Sequence, residues 1–555
     1  MRKWMIMLII GIGLVTFIGC NVCTSSFNAN FEEEEEREAK TTPFGKYPEE
    51  VIYTLGKMTG INNSNMPKGD TYENNAYTRY LKEKLNIQNK DVFEEDTDYD
   101  NMVSMAITAE DLPDVMVVSD IEQLQMLVEK DLIEDLTDVY ENCASDTIKN
   151  IYASYSEEIF ENVTIDGKLM AIPETNIENG PSLIWLRKDW MDKLHLSPPK
   201  TLDDVEAIIK QFIEKDPGNN GKGNTIGLVC DANIIGEAGY SYEYQMDIIF
   251  AKYGAFPKQF VYNKDGELVY GSIQPEAKEA LKKLNSMYEE GILDSQFLLR
   301  STVNIIDLIT SGKSGSFFGP WWSPNNPLID AKRVNGDAEW EPYLIQTDED
   351  GSTSYASQNP SYKYVVVRKG YEHPEIVMKI ISVLFDYARF QDTNAKEIGM
   401  YYKLNVDPTA RPLAINVDFS DALIRCYKNL TNVLCGKEKS PNLGQIEQSY
   451  YDACKDYINK KENATCEEWA AYTSRIKACG VIENGKTKQV KSLFFGETET
   501  MKQKWLSLNR LEEQTYLRII TGEAPIDEFD DFVAEWKENG GDTILQEVKA
   551  IVENK

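Results

Sequence analysis

The stretch DLPDVMVVSDIEQLQMLVEKDLIEDLTDVY, residues 111–140, decides the fold class of this chain. Its first part is a short apolar run that follows a proline, which is typical of a buried strand. Residues 121–140 then place apolar side chains on one face at helical spacing, and they predict a helix. A strand that leads into a helix is the repeating unit of a parallel α/β sheet.

The residues before this stretch show the same alternation. EEVIYTLGK, residues 49–57, predicts a strand, and NNAYTRYLKEKLNI, residues 74–87, predicts a helix. The order strand, helix, strand, helix therefore predicts an α/β fold built on a parallel sheet.

A second unit follows from about residue 166. Thr201 caps a predicted helix, because Asp204 stands at the capping-box position three residues later. Residues 274–293 and 373–390 predict further helices, and residues 362–370 predict a strand. The remainder from about residue 400 is largely helical by the same criterion.

The N-terminus has the pattern of an export signal. Arg2 and Lys3 precede an apolar run that is too short to span a bilayer and ends in TFIGC. This ending resembles the bacterial lipobox, so we expect residues 1–19 to be a signal peptide and Cys20 to be lipidated. The alternatives are cleavage elsewhere or a redox pair of Cys20 with Cys23. The glutamate run that follows predicts an extended, solvated tether over residues 20–47.

Charge and motifs exclude several functions. The net charge is −33, from 91 acidic and 58 basic residues, and such a surface repels nucleic acid. The chain has 2 histidines, and neither HExxH nor GxSxG occurs in it. A pair of catalytic carboxylates of the glycosidase type stays open, because acidic residues are so numerous.

The loop DPGNNGKGN, residues 216–224, resembles a calcium loop. Asp216, Asn220, the carbonyl of Lys222 and Asn224 fall at positions 1, 5, 7 and 9 of an EF-hand loop. Gly227 replaces the closing glutamate, and Asp216 is the only formal negative charge among these ligands, which argues against calcium. An Asn/Gly turn after a helix is the alternative. No other cofactor is predicted.

Two adjacent tryptophans stand in FFGPWWSPNNP, residues 317–327, among residues typical of a surface loop. Tryptophan is normally buried in a core, so its place on such a loop needs a reason. A flat aromatic ring that projects from a loop can cover the apolar face of a pyranose, while polar groups bond its hydroxyls. The alternative is that one of Trp321 and Trp322 packs into the core.

Several long segments together resemble the solute-binding lipoproteins of carbohydrate ABC importers, in particular a large Gram-positive group assigned to complex sugars. They follow the family's order and cover most of the chain after Lys46: DLPDVMVVSD, DGKLMAIP with LIWLRKDWMDKLHLSPPKTLDDVEAIIKQFIEKDPGNNGKGNTIGL, GELVYGSIQPEAKEALKKLNSMYEEGILD, SGKSGSFFGPWW, VVVRKGYEHPEIVMKI, and RIITGEAPIDEFDDFVAEWKENGGDTILQEV.

The resemblance implies a fold and a set of roles. It implies a two-lobed periplasmic-binding-protein fold, type II-like, with an extended helical C-terminal part and sugar bound in the cleft between the lobes. By similarity to maltose-binding protein, AIPE crosses to the second lobe, residues 357–362 cross back, and the GPW tryptophan stacks on the sugar. The loop at 216–224 corresponds to one that holds calcium in some alginate-binding relatives.

Further ligand contacts are expected where strands end and where the chain crosses between lobes. Each of these residues has an alternative role as an ordinary turn or helix cap. The candidates are Asn62, Asn63, Ser119, Asp120, Glu174 and Thr175.

The sequence thus predicts a membrane-anchored binding protein without catalytic activity. It would capture an oligosaccharide by closure of two lobes and present it to permease subunits. The alternatives are a cell-surface polysaccharide hydrolase and a peptide- or cofactor-binding member of the same fold. The expected lobes are residues 48–170 and 358–405 for the first, and 171–357 and 406–555 for the second.

Overall fold

The structure of the chain is a computed structural model that describes residues 34–60, 65–155, 158–236, 243–392, 394–404, 406–437 and 443–554. Within these ranges, no helix is both long enough and apolar enough to cross a bilayer. The predicted signal peptide and the predicted lipidation site Cys20 lie outside the described residues.

The elements alternate along the chain. The strands are β1 Val51–Met58, β2 Ile87–Glu95, β3 Val115–Val118, β4 Thr164–Ile165, β5 Lys168–Leu169, β6 Ile172–Pro173, β7 Leu183–Arg187, β8 Phe260–Tyr262, β9 Leu268–Tyr270, β10 Ser316–Gly319, β11 Trp340–Tyr343, β12 Thr353–Ala356, β13 Tyr364–Val367 and β14 Thr487–Val490. The α-helices are α1 Ala76–Leu85, α2 Tyr99–Ala109, α3 Ile121–Glu129, α4 Thr137–Cys143, α5 Asp146–Ala153, α6 Glu158–Glu161, α7 Lys188–Lys193, α8 Leu202–Lys215, α9 Asp247–Lys252, α10 Pro275–Glu289, α11 Thr302–Thr310, α12 Ile329–Val334, α13 Ile376–Ser382, α14 Lys396–Leu404, α15 Ala422–Leu434, α16 Gln445–Lys460, α17 Cys466–Tyr472, α18 Cys479–Asn484, α19 Glu499–Ile520, α20 Glu528–Trp536 and α21 Asp542–Glu553.

The chain forms two compact units. Unit 1 contains the described residues up to Thr175 and the segment Ser361–Phe419, and unit 2 contains Asn176–Pro360 and the residues from Ser420 onward. The predicted lobe boundaries were 170/171, 357/358 and 405/406. The last predicted boundary differs most from the observed one, which falls after Phe419. The reason is that the residues just after 405 attach to the sheet of unit 1.

Unit 1 is built on a sheet with the strand order β2-β1-β3-β13-β6. β1 pairs parallel with both β2 and β3, as the strand–helix alternation predicts. β13 runs antiparallel to β3 and to β6, so the sheet is mixed rather than wholly parallel. The direction of β13 is not visible in the local pattern, because this strand comes from the segment that returns to unit 1.

Two predictions for unit 1 were wrong. The single helix predicted over residues 121–140 is two helices, α3 and α4, because Asp131 adopts φ 55° and Ile133 forms a bridge with Arg368.

The predicted tether is not extended throughout, since residues 34–41 are helical and Tyr47 is 1% exposed. The ammonium group of Lys379 donates hydrogen bonds to backbone carbonyls of this segment. Those bonds and the burial of Tyr47 offset the repulsion within the glutamate run.

A buried lysine joins the sheet of unit 1 to the segment after residue 405. Lys57 on β1 is 0% exposed, and its Nζ donates to the carbonyl oxygens of Thr409, of Arg411 at 2.6 Å and of Pro412 at 3.4 Å. Burial lowers the pKa of Lys57 to about 7. An ammonium group has three donors, and here all three are satisfied by backbone carbonyls.

Unit 2 contains the antiparallel sheet β10-β7-β11 and a second apolar core formed with the C-terminal helices. Thr201 and Asp204 form the predicted capping box of α8. In the C-terminal part, Trp536 of α20 stacks on Tyr270 of β9 with 5.0 Å between ring centroids. The predicted helical C-terminal part is therefore an integral layer of unit 2.

The raised pKa values of three carboxyl groups in unit 2 predict that its stability depends on pH. Glu512 on α19 accepts hydrogen bonds from Tyr270 at 3.0 Å and Ser272 at 2.9 Å. Burial raises its pKa from 4.5 to about 7, and burial also raises the pKa values of Glu243 and Asp247 to about 7. An acid with a raised pKa stabilises the fold when it is protonated, so this contribution is lost as pH rises through about 7.

We therefore expect the free energy of unfolding to fall between about pH 5 and pH 7. Glu512→Gln keeps a neutral group at this position. Between about pH 5 and pH 7, the free energy of unfolding of this variant should fall by about 2 kcal/mol less than that of the unaltered protein, as measured by urea melts. Glu523→Gln, at an exposed position of the same unit, is the control and should leave the slope unchanged. An unaltered slope in the Glu512 variant would contradict the assignment.

Candidate functional site

The Gly-Pro-Trp-Trp turn begins where β10 ends and is fixed by its own hydrogen bonds. A side chain at Gly319 would lie 2.7 Å from both the Phe317 ring and the Ser323 hydroxyl, so only glycine fits there. The carbonyl oxygen of Pro320 accepts hydrogen bonds from Trp185 Nε1 at 3.1 Å and from Ser323 Oγ at 2.8 Å. Because Trp185 belongs to β7, the sheet of unit 2 holds this turn in place.

Trp321 is the packed member of the tryptophan pair. It is 5% exposed and belongs to a core cluster of unit 2. Its Nε1 donates to Asn179 Oδ1 at 3.0 Å, and the guanidinium of Arg475 lies 4.3 Å from its ring centroid. One ring face and the polar edge are therefore occupied by groups of the protein itself.

Trp322 has a different environment. Its ring is half-buried at the edge of the same cluster. Among the described residues, no aromatic ring or cation stacks on it, in contrast to Trp321. Trp322 is thus the member of the pair that keeps an accessible aromatic surface, a choice that the sequence left open.

The two residues predicted at the first crossing are held inside unit 1. Thr175 is 1% exposed, its N–H donates to the carbonyl of Asn416 at 2.8 Å, and its hydroxyl accepts from the N–H of Asp418 at 2.7 Å. Glu174 is 9% exposed, and burial raises its pKa while Lys363 lowers it. Thr175 therefore fixes the backbone rather than presenting a ligand contact, and Glu174 offers little surface.

Two polar side chains of unit 2 follow the crossing, and sequence reasoning missed both; one of them, Asn179, contacts the turn. The N–H of Asn179 donates to Gln358 Oε1 at 3.0 Å, while its Oδ1 accepts from Trp321. The Glu178 carboxylate accepts from Gln489 Nε2 and the Gly180 N–H, and burial raises its pKa. Their position after AIPE was the only available signal, since their partners lie far away in sequence.

The candidates at the strand ends of unit 1 already have partners. The hydroxyl of Ser119 donates to the carboxylate of Asp100. Asp120 is the N-cap of α3 and accepts from the N–H of Glu122 at 2.8 Å, so it has the helix-cap role considered as the alternative. Asn62 and Asn63 lie outside the described residues.

The loop at residues 216–224 is closed by its own hydrogen bonds. The Asp216 carboxylate accepts from the N–H of Asn220 at 2.9 Å, the N–H of Gly221 at 2.8 Å and the hydroxyl of Thr225 at 2.7 Å. Asn224 turns its amide nitrogen inward and donates to the carbonyl of Asn220 at 3.0 Å. Lys222 is exposed.

These donors do not fit a calcium ion. Gly227 occupies the position of the closing glutamate, and a Cβ there would lie 2.2 Å from the carbonyl oxygen of Ile292. The backbone therefore leaves no room for a bidentate ligand at this point. Across the described residues, no three His, Cys, Asp or Glu side chains gather as a metal site.

We expect calcium to have little effect on this protein. With one carboxylate in the loop, calcium at roughly millimolar concentration should raise the free energy of unfolding by no more than about 1 kcal/mol. Thermal melts with calcium and with a chelator measure the difference. A large stabilisation by micromolar calcium would contradict the conclusion, drawn from Asp216 and Gly227, that this loop does not suit calcium.

Comparison with known proteins gives a family match. The sequence model described as "Bacterial extracellular solute-binding protein" matches residues 75–393. Among curated relatives, the polygalacturonan/rhamnogalacturonan-binding protein YtcQ of Bacillus subtilis strain 168 is 29% identical over 161 residues, which are 29% of this chain and 30% of YtcQ. Lipoprotein LipO of the same organism is 30% identical over 159 residues, which are 29% of this chain and 30% of LipO. The chain therefore aligns with less than a third of the length of these relatives.

A solved structure has the same fold over nearly its whole length. The substrate-binding protein FusA of the Streptococcus pneumoniae ABC transporter, in complex with kestose, superposes with a TM-score of 0.60 at 18% identity. The superposition covers 91% of this chain and 99% of FusA. At this level of identity the likeness establishes the fold alone, which is the mixed α/β fold of solute-binding proteins.

Proposed function

The chain belongs to the bacterial extracellular solute-binding proteins, whose model matches more than half of it, and we propose that it is the substrate-binding lipoprotein of an ABC importer. It binds an oligosaccharide and delivers it to permease subunits in the membrane. No bond is made or broken in this function. YtcQ and FusA, whose names describe sugar-binding proteins, support the ligand class.

One observation carries the sugar assignment, and it is the environment of Trp322. Its half-buried ring sits on a turn that Trp185 and Ser323 hold in place, so little entropy is lost when a ligand stacks on it. A pyranose has an apolar C–H face that such a ring can cover. The side chain of Asn179, which contacts Trp321, adds a polar group beside the turn, as a sugar site requires.

A thermal-shift screen tests the proposed function. The purified protein is melted with neutral and acidic oligosaccharides and, as a comparison class, with short peptides. We expect at least one oligosaccharide to raise the melting temperature in a concentration-dependent way, because it binds only the folded protein. Stabilisation by peptides alone would contradict the proposal. An increase in reducing ends during incubation would show a hydrolase.

The membrane anchor rests on the sequence TFIGC and on the relative LipO, which is named a lipoprotein. We expect Cys20→Ser to release the protein from the membrane fraction into the medium, because the thioether-linked lipid would be lost. Cys23→Ser is the matched control and should leave the protein in the membrane fraction. Membrane association of the Cys20 variant at the level of the unchanged protein would rule out this anchor.

A further inference from the structure

An arginine of unit 2 is stacked between two aromatic rings. The guanidinium carbon of Arg475 lies 4.3 Å from the ring centroid of Trp321 and 4.0 Å from that of Tyr450 on α16. Arg475 is half-buried as a residue. The two ring contacts and a side-chain hydrogen bond with Tyr450 hold the guanidinium in place.

Arg475 has no carboxylate partner among the described residues. The chain has 91 acidic residues, so carboxylates are abundant elsewhere in it. Arg187, for example, also lies over tryptophan rings, at 4.8 Å from Trp190, but it forms an ion pair with Asp189 at 2.7 Å. The stacking of an arginine therefore does not by itself require that the cation stay unpaired.

The titratable groups around Arg475 are thiols and a phenol, those of Cys426, Cys454, Cys479 and Tyr450. Burial raises the pKa of Cys454 to about 12, and burial also raises the pKa of Cys479 above its ordinary value. The raised pKa values of Cys454 and Cys479 keep these two thiols uncharged near neutral pH, and none of the described groups that face the guanidinium is a carboxylate. A partly desolvated cation without a counter-charge is costly, and an anion supplied from outside would offset that cost.

We infer that Arg475 binds an anionic group of the ligand and that the ligand is an acidic oligosaccharide, with a uronic-acid carboxylate as the group recognised. This inference rests on the proposed function and names the substrate class of that site. Arg475 lies on the helical segment Thr473–Ala478 and packs on Trp321, and the next residue in the chain is Trp322, so the carboxylate contact lies beside the turn that carries the stacking ring. The planar fork of a guanidinium matches the two oxygens of a carboxylate.

Calorimetric titration with a matched pair of sugars tests the inference on the unaltered protein. The probes are a galacturonate tetramer, the same tetramer with its carboxyl groups reduced to primary alcohols, and a sulfated oligosaccharide of equal length. We expect the galacturonate tetramer to bind at least tenfold more tightly than its reduced form. Equal affinity for the two would overturn the inference. Preference for the sulfated probe over the carboxylate would overturn the choice of uronate.

Variants then separate recognition from packing. Arg475→Gln should lower the affinity for the galacturonate tetramer at least tenfold and leave the affinity for the reduced tetramer unchanged. Arg475→Lys keeps the charge without the planar fork and should give an intermediate value. Arg510→Gln removes the same charge at an exposed position of unit 2 and should bind like the unaltered protein.

The failures of the two proposals are distinguishable. An Arg475→Gln protein that loses acidic and reduced sugars equally, with a lower melting temperature, would show a purely structural arginine and overturn the inference. Binding of neutral sugars alone would also overturn it, while the proposed function would stand. If no oligosaccharide binds, the proposed function fails and the inference falls with it.

Discussion

Replacing Trp321 by alanine should lower the free energy of unfolding of unit 2 by about 3–5 kcal/mol, the range for a large aromatic removed from a core. The ring is 5% exposed, and its loss would remove the donor to the Asn179 side chain and one of the two rings that contact Arg475. Urea melts measure the change. Ligand affinity should change in this variant only indirectly, through the position of the turn.

Trp322→Ala is the matched comparison on the neighbouring residue. Its ring is half-buried and carries no other ring or cation among the described residues, so we expect a smaller loss of stability. Affinity for the sugar should fall by on the order of 2 kcal/mol, as for aromatic anchors in binding sites. If both variants bind the sugar at the affinity of the unaltered protein, the stacking surface lies elsewhere and the site assignment is wrong.

Replacing Lys57 by methionine should lower the free energy of unfolding of unit 1 by about 3 kcal/mol. The carbonyl oxygens of Thr409, Arg411 and Pro412 would stay buried without a donor, and each such group costs about 1–3 kcal/mol. Relief of the buried ammonium offsets part of this cost. The measurement is again a urea melt, which reports the midpoint and the slope together.

Lys90→Met is the control for this change, because Lys90 is exposed on the neighbouring strand β2. Its stability should remain within about 0.5 kcal/mol of the unaltered protein. A Lys57 variant as stable as the Lys90 variant would show that the segment after residue 405 is held by apolar packing alone.

Local patterns were sufficient for much of the fold. The strand at 115–118 and the capping box at Thr201 depend on neighbouring residues, and both are found in the structure. The break between α3 and α4 was missed, because it depends on the bridge from Ile133 to Arg368, which lies on a distant segment. The helix at residues 34–41 was missed for a similar reason, since its stabilising contacts come from Lys379.

The candidate site was predicted less completely. The turn at Gly319–Trp322 could be recognised from its residues, but the roles of the two tryptophans depend on Asn179 and Arg475, more than a hundred residues away in sequence. Arg475 itself gave no local signal, because an isolated arginine in a helical stretch is ordinarily a surface residue. The burial of Lys57 could not be predicted either, since the local sequence does not distinguish a buried lysine on a strand from an exposed one.

In the proposed function, the protein binds an oligosaccharide without altering it. Isothermal titration of the purified protein, with the oligosaccharide that stabilises it most in the thermal screen, tests this claim most directly. We expect saturable binding of one sugar per protein and recovery of the sugar with its length and reducing ends unchanged. Absence of saturable binding, or a sugar recovered in shorter pieces, would contradict it.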